Sequence, residues 1–234
     1  IGSSEKISQY IMDCRNMGIE VMPPDINESD VNFSVVGGKI RFGLSAVKNA
    51  GQSAAMAIIQ ERKENGNFSS FIDFCERIDT HNINKRCIES LIKSGAFDSF
   101  DVFRSKLVAV YEKVIDGIQQ NKRKNIEGQM TLFDMDLAKE DTDSSEDIYP
   151  DIKEYDVKSL LSMEKEMLGL YLSGHPLMEY RDILSRNVSC YSTDLLHVSD
   201  KQDELDDENV LSELANTKKL KDGMRVQVAG IIAN

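Results

Sequence analysis

Two stretches of this chain share one pattern, and it restricts the fold more than anything else in the sequence. LSAVKNAGQSAAMAIIQERKENG sets two helical segments on either side of Lys48-Asn49-Ala50-Gly51. The second segment runs from about Gln52 to Asn65, with Ala55, Ile58 and Ile59 recurring on one face. NKRCIESLIKSGAFDSFDVFRSKLVAVYEKVIDGI follows a related plan: a helix from about Lys85 to Lys93, a Ser94-Gly95-Ala96-Phe97 turn, and a helix from about Val102 to Ile118. Leu107, Val110, Tyr111 and Val114 share a face of the last helix. Helix, tight turn, helix, twice over, commits residues 44–118 to a mainly α architecture.

Such a turn has a chemical use. A tight turn feeding a helix N-terminus aims several unpaired backbone N–H groups in one direction, at the positive end of the macrodipole. That arrangement attracts anions, and a glycine lets a phosphate approach closely. In the first turn the amides near Gly51, Ser53 and Ala54 would serve, with Lys48 beside them and Asn49 in the turn. In the second they would lie near Gly95, Ala96 and Phe97, with Lys93 and Arg104 nearby. Two such units would hold two phosphates of a duplex backbone without reading its sequence. The competing reading is plain helix–turn–helix packing with glycine as a C-cap. The helix-hairpin-helix DNA-binding motif usually carries Gly-hydrophobic-Gly. Here Asn49 takes the first glycine's place, a mild departure because Asn tolerates the left-handed region. The second turn has only Gly95 and departs further.

Charge is distributed in keeping with this. The chain has 234 residues and a net charge of −12, yet residues 39–124 hold 15 basic against 10 acidic residues. Residues 1–125 carry a net +1 and residues 126–234 a net −13. Only the first module can meet phosphates without general repulsion. No apolar run approaches the roughly 18 residues of a membrane span. IGSSEKISQY is polar, lacks signal-peptide character and starts without Met, as expected of a piece of a longer chain. Cys14, Cys75, Cys87 and Cys190 form no CxxC pair and read as reduced thiols of a cytosolic protein.

Elsewhere, SEKISQYIMDCRNMG reads as a helix with Ile7, Tyr10, Ile11 and Cys14 on one face and Gly18 past its end. Ile19-Glu20-Val21 reads as a short strand stopped by Pro23-Pro24, and VNFSVVGGKIRF as a hairpin turning at Gly37-Gly38. Residues 119–150 are polar and read as a loop. Helix resumes at VKSLLSMEKEMLGLYL, is ended by SGHP, and is followed by a short helix PLMEYRDIL opened by Pro176. Residues 198–222 form an acidic linker, and GMRVQVAGII alternates like the first strand of a sheet.

Several of these segments, in order, resemble one family. YIMDCRNMGIEVMPPDINESDVNFSV, IRFGLSAVKNAG, INKRCIESLIKSGAFD and EKEMLGLYLSGHPL are similar to the alpha subunit of the bacterial replicative DNA polymerase III. The family runs PHP domain, palm, thumb, fingers, clamp-binding domain, OB-fold. The resemblance implies the end of the fingers over 1–43, a tandem helix-hairpin-helix over 44–118, and a loop with a clamp-binding motif over 119–150. It further implies the helical remainder of the clamp-binding domain over 151–197, the acidic linker, and the first, incomplete OB-fold strand over 223–234. It also accounts for an adjacent leucine and phenylalanine in the most solvated part of the chain. Gln129-Met130-Thr131-Leu132-Phe133 fits the family's Gln-x-x-Leu-Phe clamp-binding peptide, with Met130 where Leu is usual. Leu132 and Phe133 would fill an apolar pocket on the partner, and Gln129 would anchor by amide hydrogen bonds. The alternative from the pentapeptide alone is that both residues pin the loop to this protein's own core.

The resemblance implies a part of a polymerase without the polymerase chemistry. Two-metal nucleotidyl transfer needs closely placed carboxylates, which the family keeps in an upstream palm with its Mg²⁺. No cofactor is expected in this segment. EDTDSSED and DKQDELDDE read as solvated runs, and His81, His175 and His197 are scattered, with His175 in Gly-His-Pro reading as a cap. The implied partners are the sliding clamp (beta subunit), double-stranded primer-template DNA and other replicase holoenzyme subunits, in the bacterial cytoplasm and without a membrane. Rival readings are a helix-hairpin-helix adaptor of a repair complex and an enzyme complete within these residues.

Overall fold

A computed structural model describes residues 4–78, 83–126, 148–190 and 223–230. The chain divides into two compact units, residues 1–174 and 175–234.

The first unit opens with α1 (Ser4–Asn16), whose Ile11 is buried with Ile7 and Cys14 packed alongside. Gly18, at φ 72°, closes it in the left-handed conformation that residues with a Cβ resist. A three-stranded sheet follows in the order β1 (Val21–Met22), β3 (Lys39–Arg41), β2 (Ser34–Val36). β2 and β3 are the expected hairpin, antiparallel with Val35 opposite Ile40. Gly37 and Gly38 both have positive φ, 58° and 78°, as the two-residue turn matched to strand twist requires. β1 pairs parallel with β3, Val21 opposite Ile40.

The helical part is α2 (Gly51–Asn65), α3 (Phe71–Arg77), α4 (Lys85–Lys93), α5 (Arg104–Ile126) and α6 (Val157–Leu168). α2 buries Ala54, Ala55, Ile58 and Ile59, α4 buries Cys87, Ile88, Leu91 and Ile92, and α5 buries Leu107, Val110, Tyr111 and Ile115. Their common core is centred on Phe97, whose ring meets those of Phe71 and Phe74 edge-on at 5.1 and 5.0 Å. Burial also pushes the Cys75 thiol up to about 12 and that of Cys87 up to about 11, as befits packed, unreactive thiols. Arg77 fastens α3 to α2, donating to the Glu61 and Asp73 carboxylates and to the Gly66 carbonyl while lying over the Phe68 ring.

Several elements differ from the sequence reading. The segment before Lys48 is one 3₁₀ turn, Leu44–Ala46, since three residues leave no room for α-helical hydrogen bonds. α3 has no counterpart in the sequence reading. α5 runs eight residues past Ile118, because its polar end is rich in good helix formers. α6 stops at Gly169, left-handed at φ 81°, ahead of SGHP.

In the second unit Pro176–Tyr180 is a 3₁₀ turn leading into α7 (Arg181–Asn187). His175 caps it, its Nδ1 accepting from the Leu177 amide at 3.2 Å. The alternating residues 224–230 form no strand, and Met224, Val226 and Val228 are exposed. Gln227 exchanges hydrogen bonds with Ser189, whose amide donates to the Gln227 carbonyl at 2.9 Å. A strand exists only where a neighbour completes its ladder.

Candidate nucleic-acid interface

At the first turn two consecutive features prepare a helix end for an anion. Asn49, at φ 65°, and Gly51, at φ 67°, are both left-handed, which turns the chain sharply from the 3₁₀ turn into α2. Asn49 holds that conformation through its side chain, whose Nδ2 donates to the buried Ser90 Oγ of α4 at 2.9 Å. Ser90 Oγ in turn donates to the Arg86 carbonyl at 2.9 Å. The Lys48 amide donates to the Met167 carbonyl at 2.9 Å, so the turn is tied to both α4 and α6.

Ala50 sits at the N-cap of α2 and offers no side-chain acceptor. By contrast, Ser70, Asn84 and Asp156 cap α3, α4 and α6. The amides of Gly51, Gln52 and Ser53 therefore face outward on exposed residues without a side-chain cap. Ala54 lies one step further in, with its side chain buried at 3% exposure.

The Lys48 Nζ stands 3.6 Å from Glu166 of α6, and the Lys93 Nζ 2.6 Å from Glu89. Lys48, Asn49, Arg86, Glu89, Ser90, Lys93 and Glu166 line a polar cleft of about 170 Å³ beside the turn.

The second turn is closed by the protein's own groups. Gly95 is left-handed at φ 85°, and a Cβ there would come within 2.3 Å of the Arg104 guanidinium. Arg104 grips both carboxylate oxygens of Asp98 at 2.9 and 2.6 Å and donates to the Lys93 carbonyl at 3.1 Å. The first amides of α5, on Arg104 and Ser105, are capped by Glu154 at 2.7 and 3.0 Å. A carboxylate from 50 residues away thus caps the start of α5. The structure brings Lys48, Asn49 and Lys93 to one cleft, leaves Gly51 and Ser53 exposed at the start of α2, and sets Gly95 against Arg104 at the second turn.

Gln129, Met130, Leu132 and Phe133 lie outside the described residues. Among the described residues no group of three or more His, Cys, Asp and Glu side chains could hold a metal ion. No helix among them is long and apolar enough to cross a membrane.

A family model for the helix-hairpin-helix motif matches residues 18–107, which include both turns. The DNA polymerase III subunit alpha of Mycobacterium tuberculosis is 40% identical over 188 residues, 79% of this chain and 16% of that protein. The chain is homologous to part of the DNA polymerase III alpha subunit. The same subunit of Deinococcus radiodurans is 40% identical over 195 residues, 82% of this chain and 14% of that protein. That of Treponema pallidum is 34% identical over 205 residues, 87% of this chain and 17% of that protein. The chain therefore spans about a sixth of the length of these alpha subunits. Its mainly helical architecture, small sheet and helix-hairpin-helix turns agree with that kinship.

Proposed function

We propose that this chain is the part of a replicative DNA polymerase that grips the duplex backbone behind the active site and tethers the enzyme to the sliding clamp. The observation that carries the duplex grip is the uncapped N-terminus of α2 behind left-handed Asn49 and Gly51, inside a helix-hairpin-helix match. Backbone amides at a helix start recognise phosphate without regard to base, which is what a replicase travelling over any sequence needs. We assign this contact to the first turn; at the second, Arg104 is engaged by Asp98 and the Lys93 carbonyl, and Glu154 caps α5.

The clamp tether rests on Gln129-Met130-Thr131-Leu132-Phe133 and on the kinship with alpha subunits. A bound clamp raises the effective concentration of the polymerase at the primer end, so processivity follows without new chemistry here. Nucleotidyl transfer, with its Mg²⁺, is assigned to an upstream catalytic domain, and other replicase subunits join the assembly in the bacterial cytoplasm.

The test is a titration of the chain against purified bacterial sliding clamp, with and without Leu132→Ala/Phe133→Ala. Binding near micromolar, about −8 kcal/mol, that disappears in the double variant supports the tether. Equal affinity for both proteins refutes it. In parallel, titration with duplex DNA should give binding that weakens steeply with salt, and an absence of such binding refutes the grip.

A further inference from the structure

The cleft beside the first turn holds three cations, and they are not equivalent. Lys48 faces Glu166, and Lys93 faces Glu89. Arg86 is exposed, lines the same cleft, and its guanidinium has no ion pair among the described residues.

Its place in the helix adds to this. Arg86 is the second residue of α4, whose first turn contains no acidic residue. A cation there opposes the positive end of the macrodipole. Its neighbour Lys85 meets the same opposition and is relieved by Asp116 at 2.6 Å. Arg86 makes no ion pair among the described residues, and the carboxylates that share its cleft, Glu89 and Glu166, are paired with Lys93 and Lys48. A locally unfavourable charge kept on the surface is the kind of conflict that function explains.

The guanidinium is also carried on a rigid base. The Arg86 carbonyl accepts from Ser90 Oγ, and Ser90 Oγ accepts from Asn49, so two hydrogen bonds of 2.9 Å lock the first turn of α4 to the turn that starts α2. The uncapped amides of Gly51, Gln52 and Ser53 and the unpaired guanidinium are thereby presented from one braced unit. Guanidinium is the side chain best suited to bidentate phosphate contact.

We infer that Arg86 is a further phosphate-binding residue, holding a backbone phosphate neighbouring the one bound by the amides of α2. This rests on the duplex-binding reading above. The contact is sequence-independent and widens the footprint of the first turn, with Lys48 and Lys93 held partly in reserve by Glu166 and Glu89.

The test is fluorescence anisotropy of a labelled DNA duplex titrated with the 234-residue chain at several salt concentrations. The proteins are wild type, Arg86→Gln, and Lys39→Gln. Lys39→Gln removes the same charge from the sheet, where Lys39 pairs with Glu20. Arg86→Gln should weaken binding several-fold at low salt and lower the slope of log affinity against log salt by about 0.9. Lys39→Gln should leave that slope unchanged. If Arg86→Gln keeps the wild-type slope, or Lys39→Gln loses as much, the Arg86 contact is overturned while the duplex reading stands. If the wild type itself shows no salt-sensitive binding, the duplex reading falls and the Arg86 contact with it.

Discussion

Replacing Gly95 by alanine tests whether the second turn is a lock. Two costs add. Alanine at φ 85° pays about 1–2 kcal/mol for the left-handed backbone, of which about 0.4–1 kcal/mol is offset because alanine restricts the unfolded chain. The new Cβ would also meet the Arg104 guanidinium at 2.3 Å. The far end of an arginine can move aside, so the clash itself is cheap. Its consequence is that Arg104 gives up both Asp98 oxygens and the Lys93 carbonyl. With Asp98 half exposed, that loss is about 1–2 kcal/mol. Gly95→Ala should therefore destabilise by about 2–3 kcal/mol in all. In an Arg104→Ala background only the backbone part, about 1 kcal/mol, should remain. Urea unfolding of the four proteins of this cycle gives the coupling directly, expected at about 1–2 kcal/mol. If Gly95→Ala costs the same in both backgrounds, the glycine answers to backbone conformation alone and the proposed closeness of Gly95 and Arg104 is wrong.

Two other outcomes follow from the same geometry. Glu154→Ala uncaps α5 and should lower stability by about 1–2 kcal/mol in urea unfolding, while Glu154→Gln, which keeps one acceptor, should lose less; equal losses would contradict the capping role. The Glu61 carboxyl is held below its ordinary range chiefly by the Arg77 hydrogen bond. Burial pushes the Asp73 carboxyl up, but the Ser69 amide and Arg77 outweigh it and leave it lowered too. Groups whose folded pKa is depressed stabilise the fold above their unfolded values and lose that contribution as pH falls through the folded ones. Stability should therefore decline below about pH 4, and less steeply in Glu61→Gln/Asp73→Asn. Parallel pH profiles for the two proteins would rule out this source of acid sensitivity.

The elements legible in the sequence were those whose signals are local and periodic. α2 and α4 repeat apolar residues at helical spacing, and Gly37-Gly38 specifies its hairpin turn without outside help. α3 escaped because seven residues give under two turns of periodicity; its identity comes from the Ser70 cap and from Phe71 and Phe74 docking on Phe97. The overrun of α5 escaped because QQNKRKN has helix-forming residues but no apolar stripe. Most of the site follows the same division. Asn49 and Gly51 announce a sharp turn, and both are left-handed. What sets the two turns apart is non-local: Glu154 reaches the start of α5, Glu166 reaches Lys48, and Ser90 braces Asn49. Spacing along the chain carries no trace of those pairings.

The length of α5 has a consequence for how a replicase would be laid out. At 1.5 Å per residue its 23 residues form a rod of about 34 Å, starting at Arg104 beyond the second turn. Gln129 follows the far end by three residues and Phe133 by seven, which limits the reach of that peptide to roughly 25 Å from Ile126. On the proposed reading α5 is a stiff spacer between the helix-hairpin-helix region that grips the duplex and the peptide that hooks the ring. The helix then acts as a ruler: inserting or deleting whole turns within it would change how far along the duplex the ring rides, leaving each contact intact on its own.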